Sequence, residues 1–187
     1  MKSFIISLII FSSYTTLSAQ SFEPYIIGGI QGSQIDGDGF GGYYKGGLKA
    51  GTGLIIPSEK IDYNIEITFS REGMKSTQKQ TPYLTEFTSN YIDLALLGKK
   101  EFYPGFNFYF GGQFGYLLSA KDESQGSITN FTPHLKPIDI CYEIGASYKI
   151  NESWEIVIKQ SRSILTTRKD LLRQYNNNLG VYLKVYF

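Results

Sequence analysis

Cysteine and histidine are almost missing from this chain: its 187 residues contain Cys141 and His134 and no second copy of either. One cysteine excludes an intramolecular disulfide. One histidine leaves a zinc centre of ordinary type, or a Ser-His-Asp triad, resting on a single residue in a polar, loop-like stretch. Loop solvation of His134 is the simpler expectation, so no catalytic residue, metal ligand or cofactor is assigned. A surplus of one charge sign is missing too. The net charge of +1 gives no footprint of a nucleic-acid partner. Long apolar runs are also lacking: after residue 20 no stretch approaches ~18 consecutive apolar residues, and no long segment keeps a 3.6-residue period. Helical membrane spans are thereby excluded.

Aromatic residues and glycine are plentiful instead: fifteen Tyr, thirteen Phe and twenty Gly. Aromatics pack well on pleated surfaces and Gly serves turns and bulges, which favours strands. The first residues, with Lys2, an apolar run from Phe4 to Phe11 and the small Ala19 before Gln20, read as a secretory signal peptide over 1–19. That leaves one domain, 20–187.

Along that domain the recurring signal is period-two alternation. Ile138, Ile140, Tyr142, Ile144, Ala146, Tyr148 and Ile150 share one parity; Asp139, Cys141, Glu143, Gly145, Ser147 and Lys149 share the other. Comparable segments run over Ile61–Phe69, Phe106–Leu118 and Val181–Phe187, with weaker ones at Tyr25–Gln34, Tyr44–Ile56, Tyr91–Phe102 and Trp154–Ile164. Several are nine residues or longer. Strands of soluble sheets average about five or six residues, whereas a tilted strand needs about nine to eleven to cross a bilayer. The connections alternate as well. Short turns at 57–60, 103–105 and 151–153 interleave with longer polar loops near 35–43, 72–90, 119–137 and 166–177. These features predict an all-β, eight-stranded antiparallel up-and-down transmembrane barrel with both termini periplasmic and the long loops external.

In such a barrel the apolar parity faces lipid and the polar parity faces the lumen. Eight strands leave room only for side chains, so the lumen is expected to be filled. The charges on the polar parity are nearly balanced: Asp62, Glu66, Asp93, Asp139, Glu143 and Glu155 against Lys49, Lys99, Lys149, Lys159 and Lys184. Pairing among them is expected, because an unpaired buried charge is costly. Cys141, flanked by Asp139 and Glu143, reads as a buried space-filler. Phe102, Tyr103, Phe106, Trp154 and Phe187 on the turn side, with Phe69, Tyr91 and Tyr116 on the loop side, read as two interfacial girdles or simply as good strand formers.

The chain ends NLGVYLKVYF. Asn178, Gly180, Leu183, Val185 and Phe187 resemble the targeting signal of bacterial outer-membrane barrels, which implies recognition by the barrel-assembly machinery through β-augmentation. A wider resemblance covers essentially all of the domain. It rests on Gln34-Ile35-Asp36-Gly37-Asp38, Gly42-Tyr43-Tyr44-Lys45 and Gly47-Leu48-Lys49-Ala50-Gly51, on Ser70-Arg71-Glu72-Gly73, on Tyr91-Ile92-Asp93-Leu94, and on Gly115 to Lys121. These resemble the outer-membrane β-barrel domain proteins common in Bacteroidota, often labelled porin-family or PorT-like, with the architecture of the small OmpA/OmpX barrels. The chain departs from that pattern at Asp93, Ala95 and Lys100.

Gln34 to Gly47, with two aspartates and six glycines, invites a calcium reading, but Phe40 and Gly47 occupy ligand positions of an EF-hand loop that begins at Asp36. Arg162, Arg168, Lys169 and Arg173 make the last external loop basic. The expected function is structural or interactive: a filled barrel in outer-membrane lipid that presents its external loops. Three alternatives stand beside it: a PorT-like accessory to secretion with an envelope or secretion partner, a narrow pore for small solutes, and a soluble ligand-binding barrel.

Overall fold

The computed structural model describes residues 22–77, 79–81, 85–124, 126–170 and 172–187. The expected signal peptide lies outside them. The described chain is almost entirely strand: β1 (Glu23–Asp36), β2 (Lys45–Ile56), β3 (Asp62–Lys75), β4 (Thr85–Tyr103), β5 (Phe106–Ser124), β6 (Ser127–Asn130), β7 (Ile138–Lys149), β8 (Trp154–Ser163) and β9 (Tyr175–Tyr186). Every pairing is antiparallel. All strands except β6 form a ring in which each pairs with its neighbours, and β1 pairs with β9 from Tyr25 opposite Tyr186 to Asp36 opposite Tyr175. The sheet therefore closes as an eight-stranded barrel without a free edge.

The short turns gather at one end together with Glu23 and Tyr186, and the long loops gather at the other. At the turn end Pro104-Gly105 joins β4 to β5, and Gly105 takes φ +81°, which glycine enters without steric cost. The apolar parity faces outward: Ile67 on β3, Leu96 on β4, Phe108 on β5, Ile144 on β7 and Ile158 on β8 are each more than 40 % exposed. A continuous apolar belt of this extent is far larger than the patch of a few hundred Å² that a soluble monomer carries. It suits a hydrocarbon surrounding.

Two strands expected to end near Phe69 and Leu118 continue further, and β4 begins before Tyr91. On these extensions the outward residues are polar: Arg71, Thr88, Asn90, Ser119, Lys121 and Glu123. Their inward partners Met74, Phe87 and Ala120 stay buried. A register shift between Asn90 and Tyr91 places Asn90 opposite Ser119 and Tyr91 opposite Leu117, so Leu118 has no partner and the parity of β5 inverts. That inversion breaks the sequence alternation without breaking the strand. Above the bulge, β6 adds to β5 from Ser124 opposite Ser127 to Lys121 opposite Asn130. The extensions of β3, β4 and β5 with β6 thus form a polar-faced fin that stands past the apolar belt.

Two apolar clusters share the interior with the charged residues. Tyr25, Ile27, Ile55, Leu97, Tyr109 and Val157 belong to the one in the turn half. Ile35, Met74, Phe87, Leu117 and Leu135 belong to the one at the loop end, with Phe131 packed against it. Tyr91 joins this second cluster at 2 % exposure, so it is an interior residue and not part of a girdle. Phe102, Tyr103, Phe106, Trp154, Phe187, Phe69 and Tyr116 do face outward.

Candidate functional site

The lumen is built from the inward parity of all eight strands, and its centre is a set of ion pairs. Glu66 on β3 has no solvent exposure and meets Lys159 of β8 at 2.6 Å, Lys184 of β9 at 2.9 Å and the donating Tyr25 hydroxyl at 2.9 Å. Lys159 also reaches Glu143 of β7 at 2.6 Å. Lys184 lies 4.3 Å from the Tyr25 ring centroid and 4.5 Å from that of Tyr109, so two π faces share its charge. Towards the turn end, Glu155 accepts from Lys99 at 3.1 Å and from Tyr109 at 2.7 Å, and also from Ser147 and Tyr186. Lys49 sits between Asp93 and Glu143, 3.7 Å from each, and donates to Gln113 at 2.6 Å.

Among the predicted lumen residues, Lys49, Glu66, Asp93, Lys99, Asp139, Glu143, Glu155, Lys159 and Lys184 are buried. Asp62 and Lys149 lie outside this set, because both sit where a strand meets a turn. The Asp62 carboxylate accepts the Ser58 backbone N–H at 3.0 Å, and the exposed Lys149 ammonium lies 5.7 Å from the Tyr186 ring. Cys141 is buried with Sγ 3.9 Å from Ser163.

Glu72 is the residue that sequence reading leaves in a loop and the fold buries. It lies on the β3 extension, where Asn176 donates to it at 2.9 Å and Asn178 donates as well. Asp139 accepts from Ser163 at 2.8 Å and from the same Asn176 amide at 2.9 Å. The only sequence signal for Glu72 is that it keeps the inward parity of Glu66, Thr68 and Ser70. Of the terminal motif, Asn178 faces the lumen, Leu183 and Val185 are half-buried, Phe187 is exposed, and a Cβ on Gly180 would stand 2.2 Å from the Tyr182 hydroxyl.

Among the described residues, six buried lumen carboxylates (Glu66, Glu72, Asp93, Asp139, Glu143, Glu155) face four buried lumen ammonium groups (Lys49, Lys99, Lys159, Lys184). Lys45 is buried too, but Glu86 engages it at the loop end. Glu72 and Asp139 have no ion pair among the described residues; neutral amides and a hydroxyl hold them in place. Just above Asn176 a cavity of about 100 Å³ opens at the barrel mouth. No group of three or more His, Cys, Asp or Glu side chains among the described residues is arranged to hold a metal ion.

A ring of this shape, apolar outside and ion-paired inside, has few counterparts other than membrane barrels. The model of the outer membrane protein beta-barrel domain family matches residues 10–165. The chain belongs to that family. Solved structures with the same fold include Neisserial surface protein A, at 11 % identity and a TM-score of 0.57 over 88 % of this chain and 97 % of that one. Ail, the attachment invasion locus protein of Yersinia pestis, aligns at 14 % identity and a TM-score of 0.55 over 88 % and 98 %. Ail has also been solved with the heparin analogue sucrose octasulfate, and that structure aligns at 13 % identity and a TM-score of 0.55 over 89 % and 99 %. No curated protein sequence matches significantly. At these identities the likeness is one of fold. The family's barrels are outer-membrane proteins, which agrees with the apolar belt.

Proposed function

We propose that the protein is a non-conducting outer-membrane barrel that anchors the polar fin at its long-loop end and presents it outside the cell, with both termini in the periplasm. The observation that carries this reading is the contrast between the two ends of β3, β4 and β5. At the turn end the strands stop near the apolar belt, and at the loop end they run past it and recruit β6, whose Ile128 is 66 % exposed. A lumen crossed by Glu66, Lys159, Glu143 and Lys184 supports the absence of conduction, because an ion would have to part buried pairs, each worth several kcal/mol when broken one-sidedly.

Photocrosslinking in native membranes tests the display. A photoreactive side chain at Ile128 is expected to yield protein adducts, and one at Tyr148 on the belt to yield lipid adducts. Absence of protein adducts from Ile128 would remove display as the function. Planar-bilayer recordings test closure of the lumen: unitary current steps from the unaltered barrel would instead establish the narrow-pore alternative.

A further inference from the structure

The cavity at the mouth has a composition that the anchoring role does not require. Its walls are apolar, with Ile35, Met74, Phe87, Phe131 and Leu135, and Phe87 meets Phe131 edge to face at 5.6 Å. Two carboxylates, Asp38 from the β1–β2 loop and Asp122 from the β5 extension, also line it. One oxygen of each, Asp38 Oδ2 and Asp122 Oδ1, is shielded and has no hydrogen-bond donor. The other Asp38 oxygen is already used by the Phe40 N–H at 2.7 Å. Burial raises the Asp38 carboxyl above its usual pKa, as it does where no cation stands opposite.

The cation in the cavity lining does not answer this demand. Arg168 lines the same cavity, but both of its Asp170 contacts through Nε are 3.0 Å or shorter, and its guanidinium rests 5.1 Å from the Phe131 centroid. Asn176 lines the floor, and its amide donates to Glu72 and Asp139 beneath it. The two orphaned carboxylate oxygens call for a donor, and the walls favour a small apolar body.

We infer that the mouth cavity is a binding site for a small organic ammonium ion, its branched aliphatic body among Ile35, Met74, Phe87 and Leu135 and its ammonium between Asp38 and Asp122. An ammonium group supplies three donors and no acceptor, which matches two orphaned carboxylate oxygens. The volume is about two-thirds of the ~150 Å³ that takes up benzene, so a body of about three carbons beside the ammonium fits. Inorganic cations lack the apolar part, and neutral alcohols lack the charge.

The test is calorimetric titration of the full barrel domain refolded in dodecyl maltoside, a detergent with no cationic head. Isopropylamine is expected to bind saturably, with isopropyl alcohol and ammonium chloride each at least tenfold weaker. The variant carrying both Asp38→Asn and Asp122→Asn, checked for the heat-sensitive gel mobility of a folded barrel, is expected to lose at least tenfold in amine affinity. No saturable amine binding, equal binding of the alcohol, or undiminished binding to the folded double variant would each overturn the site. If the double variant does not fold, the comparison of amine with alcohol on the unaltered barrel decides. The outcome is independent of conductance and of crosslinking at Ile128.

Discussion

Lys159 on β8 places its ammonium 2.6 Å from the Glu66 carboxylate on β3, across the full width of the lumen. The same ammonium is 2.6 Å from Glu143, so one side chain bridges two buried acids, each of which has a second and separate lysine. Lys159→Met leaves both carboxylates in a shielded interior, and breaking a buried pair from one side costs about 3–5 kcal/mol. The midpoint of urea unfolding in lipid vesicles is expected to fall accordingly. Glu66→Gln with Lys159→Met should recover part of that loss, and a double variant no more stable than the single one would contradict the pairing.

The outward face predicts an opposite sensitivity. Ile67 is 55 % exposed midway along the belt side of β3. Ile67→Arg is expected to destabilise the barrel by about 2–4 kcal/mol in vesicles, the cost of a cation near the bilayer midplane. Ser119→Arg, beyond the belt, should change stability little. Equal effects at the two positions would place the belt wrongly.

Gly53 marks a third test. It pairs with Tyr25, whose ring lies so close that a Cβ on Gly53 would stand 2.3 Å from the ring carbon bearing the hydroxyl. Gly53→Ala must push Tyr25 aside, and with it the hydroxyl donated to Glu66. The expected cost is about 1–3 kcal/mol of overpacking. Gly28→Ala, where nothing lies within 4 Å, serves as the control.

Acid should loosen the fin. Glu86 lies beyond the point on β4 where the outward residues change from Asn90 to Ile92, and its carboxylate binds Lys45 and Lys75. Hydrogen bonds from those two lysines hold its pKa below the ordinary carboxylate value. An acid with a depressed folded pKa contributes stability that is present above its unfolded value of about 4.3 and lost as pH falls through the folded value. Amide protection factors around Glu86 are therefore expected to drop below that range in the wild type. Glu86→Gln should already be less protected at neutral pH and show a flatter profile.

Much of the barrel can be read from the chain because one side of every strand meets hydrocarbon. Ile138 to Ile150 announces its two faces so clearly that β7 differs from the alternation by one residue at its end. The fin was hidden because Arg71, Thr88, Ser119 and Lys121 meet water and not lipid, so outward polarity made the extensions look like loops. The bulge at Leu118 then inverts the parity that remains. The same blindness removed Glu72 from the lumen set and moved Tyr91 to the surface. Asp62 and Lys149 erred the other way: their parity is that of the lumen, but their strand ends lie too near the turns for burial. The mouth cavity could not be read at all, since Asp38, Asp122 and Arg168 come from three separate connections or extensions that only the closed ring brings together.

The closure between β1 and β9 has a kinetic consequence. Glu66 is on the third strand, while Lys159 and Lys184 are on the last two in chain order. A chain assembling from its N-terminus must therefore keep Glu66 wet until the C-terminal strands arrive. Expulsion of water from the interior and zipping of the final seam then become a single late event. A partial barrel inserted without β8 and β9 would carry charges that neither lipid nor its own interior can accept.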